Sequence, residues 1–309
     1  MPTDLPDSIG PYRVNELIGR EGPALLYRAS APGDGRAVIV HLLSARVAEE
    51  RGLLERFRRE AGALARSSHP NLLRVLEIGE EGARPFMATE PFDGVPLDEV
   101  LKGRQLSAPE AINVMKGICR GLAHAHQHGV VHGHVWPHAV LVSRDLSQVK
   151  LTDFGFARAD SLGKTGTLNT GALSLGAFHY LAPEQVDQRT GGTADHRADL
   201  YSAGAVFHEM LTGRPPGGRF ALPSQLKAEL TPDADVVVLK CLARNPGERY
   251  ASAIDLLNDL ARLEEAMRVR VLSEFQGITR PGSRKRALLL AGLILLLAAL
   301  AVAGFFIAR

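Results

Sequence analysis

Histidines are concentrated in one stretch of the sequence, where their side chains could carry chemistry. Six of them lie between residues 124 and 138: His124, His126, His128, His132, His134 and His138. An imidazole can accept a proton near neutral pH, and several imidazoles together can bind zinc. Because no cysteine or carboxylate cluster completes a zinc-binding set, the pattern favours structural histidines.

A carboxylate follows at Asp153, within LTDFGFAR at residues 151–158. With VVHGHVWPHAVLV at 130–142, YLAPEQ at 180–185 and ADLYSAG at 198–204, it forms an ordered series of motifs. The order and spacing resemble those of the eukaryotic-type serine/threonine protein kinases, in their bacterial, membrane-anchored branch. The resemblance covers residues 12–262. It implies an α+β, two-lobed protein-kinase-like fold, in which a small antiparallel β N-lobe with one helix precedes a larger helical C-lobe.

The resemblance implies a catalytic loop that departs from the family pattern at several positions. The family sequence H-R-D-x-K-P-x-x-N supplies a catalytic base and a magnesium ligand. Here Gly133 stands at the Arg position and His134 at the position of the base. Trp136 takes the place of the Lys, and Ala139 takes that of the metal-binding Asn. Ala139 offers no side-chain oxygen, so one metal ligand is lost.

The phosphate-binding loop implied by the resemblance is also altered. Kinases carry G-x-G-x-x-G, in which glycine lets backbone N–H groups approach the phosphates. This chain reads GREGPA, so Gly19 keeps the first position, Glu21 takes the second and Ala24 the third. The carboxylate of Glu21 would repel phosphate, although the neighbouring Gly22 could shift the turn.

The strand and the helix that follow carry the next pair of family positions. In VIVH, His41 stands where kinases have a phosphate-binding lysine, and Ile39 stands where they have a small residue. In the predicted helix from about Ala48 to Arg66, the spacing places Leu53, Phe57, Glu60 and Leu64 on one face. A carboxylate in an apolar stripe needs a cationic partner, so we expect a His41–Glu60 pair.

Residues with architectural roles in kinases are retained. Asp153-Phe154-Gly155 is complete, and its aspartate would still hold magnesium beside a nucleotide. The resemblance pairs Glu184 of APE with Arg249 of NPGERY. It also implies that Asp199 bonds the backbone of the catalytic loop.

From these changes we predict a membrane-tethered pseudokinase, not an enzyme, that acts as a scaffold or allosteric partner in signalling. The degenerate positions are His41, Glu60, His134, Trp136 and Ala139, and no catalytic residue and no required cofactor are expected. Two alternatives stay open: a divergent active kinase that transfers phosphate from ATP to protein serine or threonine, and a small-molecule sensor. If ATP and magnesium bind, we expect contacts from Gly19, Gly22, Ile39, His41, Glu90, Phe92, Leu141 and Asp153, with Asp153 as the metal ligand.

The end of the sequence predicts a membrane anchor. Residues 287–308 form an uncharged run, ALLLAGLILLLAALAVAGFFIA, whose helical length of about 30 Å matches a bilayer core. Arg280, Arg284, Lys285 and Arg286 precede the run, which places residues 1–286 in the cytoplasm. We therefore expect a single-pass membrane protein.

The composition of this 309-residue chain limits which partners and which domains can be expected. A net charge of +2 gives no reason to invoke nucleic acid, so the expected partner is a protein, either an active kinase or another signalling protein. The two cysteines match no metal spacing and suggest no disulfide scaffold. The predicted segments are an N-terminal extension (1–11), the kinase-like domain (12–262), a juxtamembrane linker (263–286) and the transmembrane helix (287–308).

Overall fold

The computed structural model describes most of the kinase-like region. The described residues are 5–21, 24–45, 49, 51–154, 175–186, 195–218, 220–227 and 229–278. The chain divides into two units, Met1–Leu260 and Ala261–Arg309. Within the described residues no helix is long and apolar enough to cross a membrane. The predicted span at 287–308 lies outside them, as do Gly22 and residues 155–174.

Six strands form an antiparallel sheet in the order β1-β2-β3-β4-β6-β5. They are β1 (Ser8–Ile9), β2 (Tyr12–Glu21), β3 (Ala24–Ser30), β4 (Ala37–Leu43), β5 (Val75–Glu81) and β6 (Arg84–Thr89). Alternate residues of a strand point to opposite faces, so apolar positions two apart can share one buried core. Val38 and Val40 on β4 meet Tyr27 and Phe86 in this way. The predicted N-lobe sheet is confirmed.

One helix, α1 (Arg51–Ala65), packs against β5. Phe57, Glu60 and Leu64 are all buried, so their predicted common face is confirmed, while the side chain of Leu53 lies outside the description. Glu60 is only 5% exposed. The buried face of α1 therefore carries a carboxylate toward the sheet.

Helices make up most of the remaining chain, together with a small antiparallel sheet. The helices are α2 (Leu97–Gly103), α3 (Ala108–Gln127), α4 (Pro183–Val186), α5 (Arg197–Thr212), α6 (Pro223–Leu226), α7 (Pro232–Cys241) and α8 (Ala253–Ile278), and the strands are β7 (Val95–Pro96), β8 (Val140–Val142) and β9 (Val149–Leu151). Helix α3 begins at a capping box, in which Ser107 Oγ accepts from the Glu110 backbone N–H and the Glu110 carboxylate accepts from the Ser107 backbone N–H. Strands β8 and β9 pair, so the loop before β8 and the segment after β9 emerge side by side.

Helices α3, α5 and α7 pack together in the C-lobe. The contact between α5 and α7 is close at Gly204, where a Cβ atom would lie 2.2 Å from Cys241 Cβ. Cys241 and Cys119 on α3 are both free and fully buried. Burial raises the pKa of the Cys241 thiol to about 12 and raises that of Cys119 as well.

Candidate active site

Asp199 on α5 holds the loop that follows α3. Its carboxylate is fully buried and accepts hydrogen bonds from the backbone N–H groups of His132 at 2.9 Å and Gly133 at 2.7 Å. His126 Nε2 lies 2.8 Å from the same carboxylate. Burial alone would raise the pKa of Asp199, but the hydrogen bonds from His126 and Gly133 lower it below its usual value. The predicted role of Asp199 is confirmed.

The loop is also tied to the segment that contains Asp153. The His132 Nε2–H donates to the carbonyl oxygen of Thr152 at 2.8 Å, and the His132 ring lies 4.4 Å from that of Phe154. Gly133 has a positive φ of 83°, which suits glycine because it lacks Cβ. Its carbonyl oxygen accepts from Gln185 Nε2 at 2.6 Å. The backbone geometry of the loop is therefore fixed on several sides.

A row of aromatic rings occupies the positions of the altered loop residues. His134 is buried, and its ring stacks on Trp136 with 5.5 Å between centroids and 9° between planes. Trp136 in turn lies 5.3 Å from the His138 ring, and His138 Nδ1 lies 3.2 Å from Asp98 Oδ1 on α2. Ala139 is buried and contributes its backbone, whose carbonyl oxygen accepts from the Thr152 N–H. The row gives His134 a fixed ring plane.

Asp153 is the carboxylate best placed to hold a cation. It is buried, and its backbone lies in the left-handed region with φ of 64°, which is uncommon for a residue with a Cβ and typical of functional sites. Together with Thr89 and Met87 it lines a small cavity between the sheet and the C-lobe. Magnesium is held through one or two carboxylates together with substrate phosphates, so Asp153 fits that requirement.

His41 contacts a neighbouring strand. Its Nε2 lies 3.2 Å from Thr89 Oγ1, and that hydroxyl lies 3.5 Å from the carbonyl oxygen of Ile39. Glu60 Oε1 lies 3.8 Å from Arg59, with which it forms an ion pair. Both His41 and Glu60 are buried, and their predicted pairing stays a prediction.

The other predicted nucleotide contacts lie along the sheet and the chain that leaves it. Gly19 is exposed on β2, whereas Ile39 on β4 and Leu141 on β8 are half-buried. Glu90 and Phe92, also half-buried, follow β6. The side chain of Glu21 lies outside the description.

Sequence reasoning missed a lysine that joins this segment to the C-lobe. Lys150 on β9 donates to Glu90 at 2.7 Å and to the carbonyl oxygen of Leu72 at 3.3 Å. Its ammonium also lies 6.0 Å from the Phe92 ring centroid. The sequence does show a cation three residues before Asp153. The partners of Lys150, however, lie about 60 to 80 positions away in the sequence and could not be inferred from spacing.

The predicted Glu184–Arg249 pair is confirmed. Arg249 is buried, and its two terminal nitrogens each lie 2.7 Å from one oxygen of Glu184. Its remaining donors reach backbone carbonyl oxygens of Arg197 and Ala243. A bidentate, fully bonded guanidinium of this kind joins the segment that contains Glu184 to the C-lobe.

The histidines outside the catalytic loop mostly contact one another. His124 lies between the rings of His69 at 4.8 Å and His128 at 4.4 Å. In the described part of the chain, no group of three or more His, Cys, Asp or Glu residues is placed to hold a metal ion. Burial lowers the pKa of His124 and of His69, so these rings favour the neutral form.

Comparison with known proteins identifies the family. The chain matches the protein kinase domain over residues 12–272. It belongs to the protein kinase family. The serine/threonine-protein kinase PknB of Mycolicibacterium smegmatis is 36% identical over 274 residues, which cover 82% of this chain and 43% of that protein. PrkC of Bacillus subtilis, also named a serine/threonine-protein kinase, is 34% identical over 276 residues, covering 84% and 41%.

A solved structure supports the same fold. The kinase domain of Mycobacterium tuberculosis PknI superimposes with a TM-score of 0.69 at 23% identity, over 83% of this chain and 97% of that domain. The two-lobed kinase fold is therefore shown. The chain spans less than half the length of the two curated relatives named above.

These findings correct two of the expectations drawn from the sequence. Because the relatives are named serine/threonine-protein kinases, the prediction that the chain is not an enzyme is wrong. The prediction that no cofactor is required is also wrong, because protein kinases act on ATP with magnesium. Both predictions equated missing side chains with lost activity. In phosphoryl transfer, however, positioning and electrostatic stabilisation do most of the work, and the groups that position the loop are present.

Proposed function

We propose that this chain is a divergent serine/threonine protein kinase that transfers the terminal phosphoryl group of ATP to a protein hydroxyl. The observation that carries the proposal is that Asp199 fixes the backbone of the catalytic loop beside a buried Asp153 in left-handed backbone geometry. Both features support a catalytic loop positioned beside a metal-binding carboxylate, as phosphoryl transfer requires, although several side chains of the loop differ from the family pattern.

In this proposal Asp153 would hold the magnesium ion, whose chemistry would be to offset the negative charge of the phosphates. His41 and Thr89 lie on the sheet that covers the nucleotide side of the cleft, and Lys150 fixes Glu90 beside it. His134 stands at the chain position of the base and accepts the proton of the attacking hydroxyl through a neutral imidazole nitrogen. The bond from the terminal phosphorus to ADP then breaks as the bond to the serine or threonine oxygen forms.

The expected rate is low for a kinase. Typical kinases turn over about 1–100 times per second. Replacement of the catalytic base lowers the rate of phosphoryl transfer by about 10²–10⁴-fold. His41 and Trp136, which stand where the family has lysines, lower the rate further, and these losses do not simply add. Slow, magnesium-dependent transfer is therefore the specific expectation.

The test is transfer of labelled phosphate from ATP by the full-length chain, with magnesium or manganese and generic protein substrates. Asp153→Asn removes the carboxylate charge and should abolish the transfer. Asp233→Asn, an exposed carboxylate on α7, is the matched control and should leave it unchanged. Absence of transfer by the wild-type chain, or equal transfer by Asp153→Asn, would overturn the proposal.

A second candidate role is allosteric regulation of a partner protein, for example an active kinase. It is favoured by the observation that the Glu184–Arg249 pair and the Asp199 contacts are present while charged groups of the catalytic loop are not. Such a role requires a folded surface that binds the partner, and it does not require fast phosphoryl transfer. Co-purification of the partner with Asp153→Asn as well as with wild-type chain would support this role, and loss of the partner with that variant would exclude it.

A further inference from the structure

Three histidine rings form a stack where the end of α3 meets the loop between α1 and β5. The ring of His124 on α3 lies 4.8 Å from that of His69 in the loop and 4.4 Å from that of His128, which directly follows α3. The two elements approach closely here, because a Cβ at Gly121 would lie only 2.7 Å from the carbonyl oxygen of Asn71. The histidine stack therefore lies at a tight contact between α3 and the loop.

The loop that carries His69 also holds β9. Asn71 Nδ2 donates to the carbonyl oxygen of Val149 at 2.9 Å, and the backbone N–H of Leu151 donates to the carbonyl oxygen of Asn71 at 2.9 Å. Leu151 lies two residues before Asp153. A movement of the loop would therefore reach the segment that carries the candidate metal ligand.

The hydrogen bonds around the histidine stack require neutral imidazoles. The backbone N–H of Asn71 donates to His69 Nδ1 at 3.1 Å, so this nitrogen carries no hydrogen. A cationic histidine carries hydrogen on both ring nitrogens, and it could not accept this bond. His124 Nε2 is buried and has no hydrogen-bond partner among the described residues, so a positive charge on this ring would be poorly solvated.

The charges that face the histidine stack also oppose its protonation. Burial lowers the pKa of His69, and the positive charges of His124, Arg120 and Lys150 lower it further. Glu90 offsets part of the Lys150 charge through their ion pair at 2.7 Å. Burial likewise lowers the pKa of His124, and the third ring of the stack adds to the effect. Because these pKa values are lowered, the rings stabilise the fold above pH 6.5, and this contribution is lost as the pH falls below that value.

We propose that the histidine stack is an acid-sensitive switch that keeps residues 69–73 bound to α3 and β9 only while its rings are neutral. Protonation places positive charges next to one another and next to Arg120, and it removes the acceptor of the Asn71 N–H. The loop then opens locally, and its hydrogen bonds to β9 break. The switch responds to protons alone and requires neither ATP nor phosphoryl transfer.

Hydrogen–deuterium exchange with mass spectrometry measures this opening. The full-length chain in detergent, without ATP, is labelled at about pH 7.5 and about pH 5.5, on either side of the ordinary pKa of histidine. The rates are corrected for the intrinsic effect of pH on exchange. We expect several-fold faster exchange at the lower pH in peptides that contain Asn71 and Leu151, whose amide hydrogens form the two bonds. Peptides from α7 should show no such change.

Two substitutions remove the titrating groups while they keep the local contacts. His124→Phe keeps a planar ring in the stack and has no buried nitrogen, so it should be as stable as wild type at neutral pH and respond less to acid. His69→Asn keeps an acceptor for the N–H two residues on, as in an Asx turn, and cannot take up a proton. The double variant should lose the acid response of the Asn71 and Leu151 peptides. His179→Gln, at an exposed histidine outside the stack, is the control and should keep the full response.

Several outcomes would overturn the proposal. They are equal exchange of the wild-type peptides at the two pH values, an undiminished acid response in His124→Phe, or an equal reduction in His179→Gln. If the double variant does not fold, His124→Phe alone decides between these outcomes. Because the samples contain no ATP, failure of the switch would leave the proposed kinase activity untouched, and absence of kinase activity would leave the acid response untouched.

Discussion

His134 is the residue at which the catalytic loop differs most in chemistry from the pattern it resembles. Its imidazole is buried and stacked against Trp136, whereas the family places a carboxylate at this position. We predict that His134→Asp raises the rate of phosphate transfer by about 10²-fold, because a carboxylate is the base that the family uses at this position and an imidazole points its nitrogens differently. The measurement is the initial rate with labelled ATP.

The matched variant His134→Asn has similar size without a basic group. It should lower the transfer rate relative to the wild-type chain, since it leaves no proton acceptor at this position. A faster His134→Asn would indicate that the histidine acts only by its bulk.

Residue-level predictions succeeded where two family motifs each specified one of the partners. Asp199 and the Glu184–Arg249 pair follow from segments of fixed family spacing, and the structure places them as expected. The contact of His41 with Thr89 did not follow, because it depends on which residues of β4 and β6 lie side by side. The ring row of His134, Trp136 and His138 was also missed, since stacking depends on side-chain rotamers that the sequence does not show.

At the scale of elements, the contact between α5 and α7 depends on a glycine. A Cβ at Gly204 would lie 2.2 Å from Cys241 Cβ, so Gly204→Ala must separate the two helices or distort their side chains. We predict a loss of about 1–3 kcal/mol in the free energy of unfolding. Thermal unfolding of the full-length chain measures it.

Gly62→Ala on α1 is the control for this glycine. A Cβ there would meet only the Arg66 side chain, at 3.7 Å, so alanine should be neutral or stabilising by up to about 1 kcal/mol. Equal destabilisation by the two variants would show that the close contact is not the cause.

Helix α2 carries a carboxylate that links stability to pH. The hydrogen bond from His138 and the contact with Lys102 lower the pKa of Asp98 from 3.8 to about 2. A lowered pKa means that the carboxylate stabilises the fold above pH 3.8, and that this contribution disappears as pH falls toward 2. We predict that Asp98→Asn destabilises the chain at pH 7 and shows a smaller further loss on acidification than wild type.

Unfolding curves of the two proteins at neutral and acidic pH give the comparison. Asp233→Asn on α7 serves as the control for a surface carboxylate. Parallel pH dependence in wild type and Asp98→Asn would contradict the assignment of this effect to Asp98.

At the scale of the whole molecule, we predict that residues 287–308 anchor the chain in a membrane with residues 1–286 in the cytoplasm. Arg280, Arg284, Lys285 and Arg286 would each add about 1 kcal/mol of attraction to anionic lipid headgroups. Paired changes Leu295→Arg and Leu296→Arg cost about 2.5–3.5 kcal/mol each in the membrane and should shift the chain to the soluble fraction. The conservative pair Leu295→Val and Leu296→Val should leave it in the membrane fraction.

Orientation is tested separately. Protease added to intact cells should leave an N-terminal epitope tag undigested, and digestion of the tag would contradict the predicted topology. These experiments address a part of the chain that the sequence describes by hydropathy alone.

The burial of the two cysteines allows site-specific labels to test whether the two lobes of the kinase domain move relative to each other. Both thiols are buried and their pKa values are raised, so neither forms the thiolate that attacks alkylating dyes. Cysteines introduced at exposed positions would therefore be the sites that are labelled, without removal of Cys119 or Cys241. Pairs such as Glu16→Cys on β2 and Asp233→Cys on α7 would carry donor and acceptor fluorophores on the two lobes. Energy transfer between them would then report domain closure on adding nucleotide in the otherwise unaltered protein.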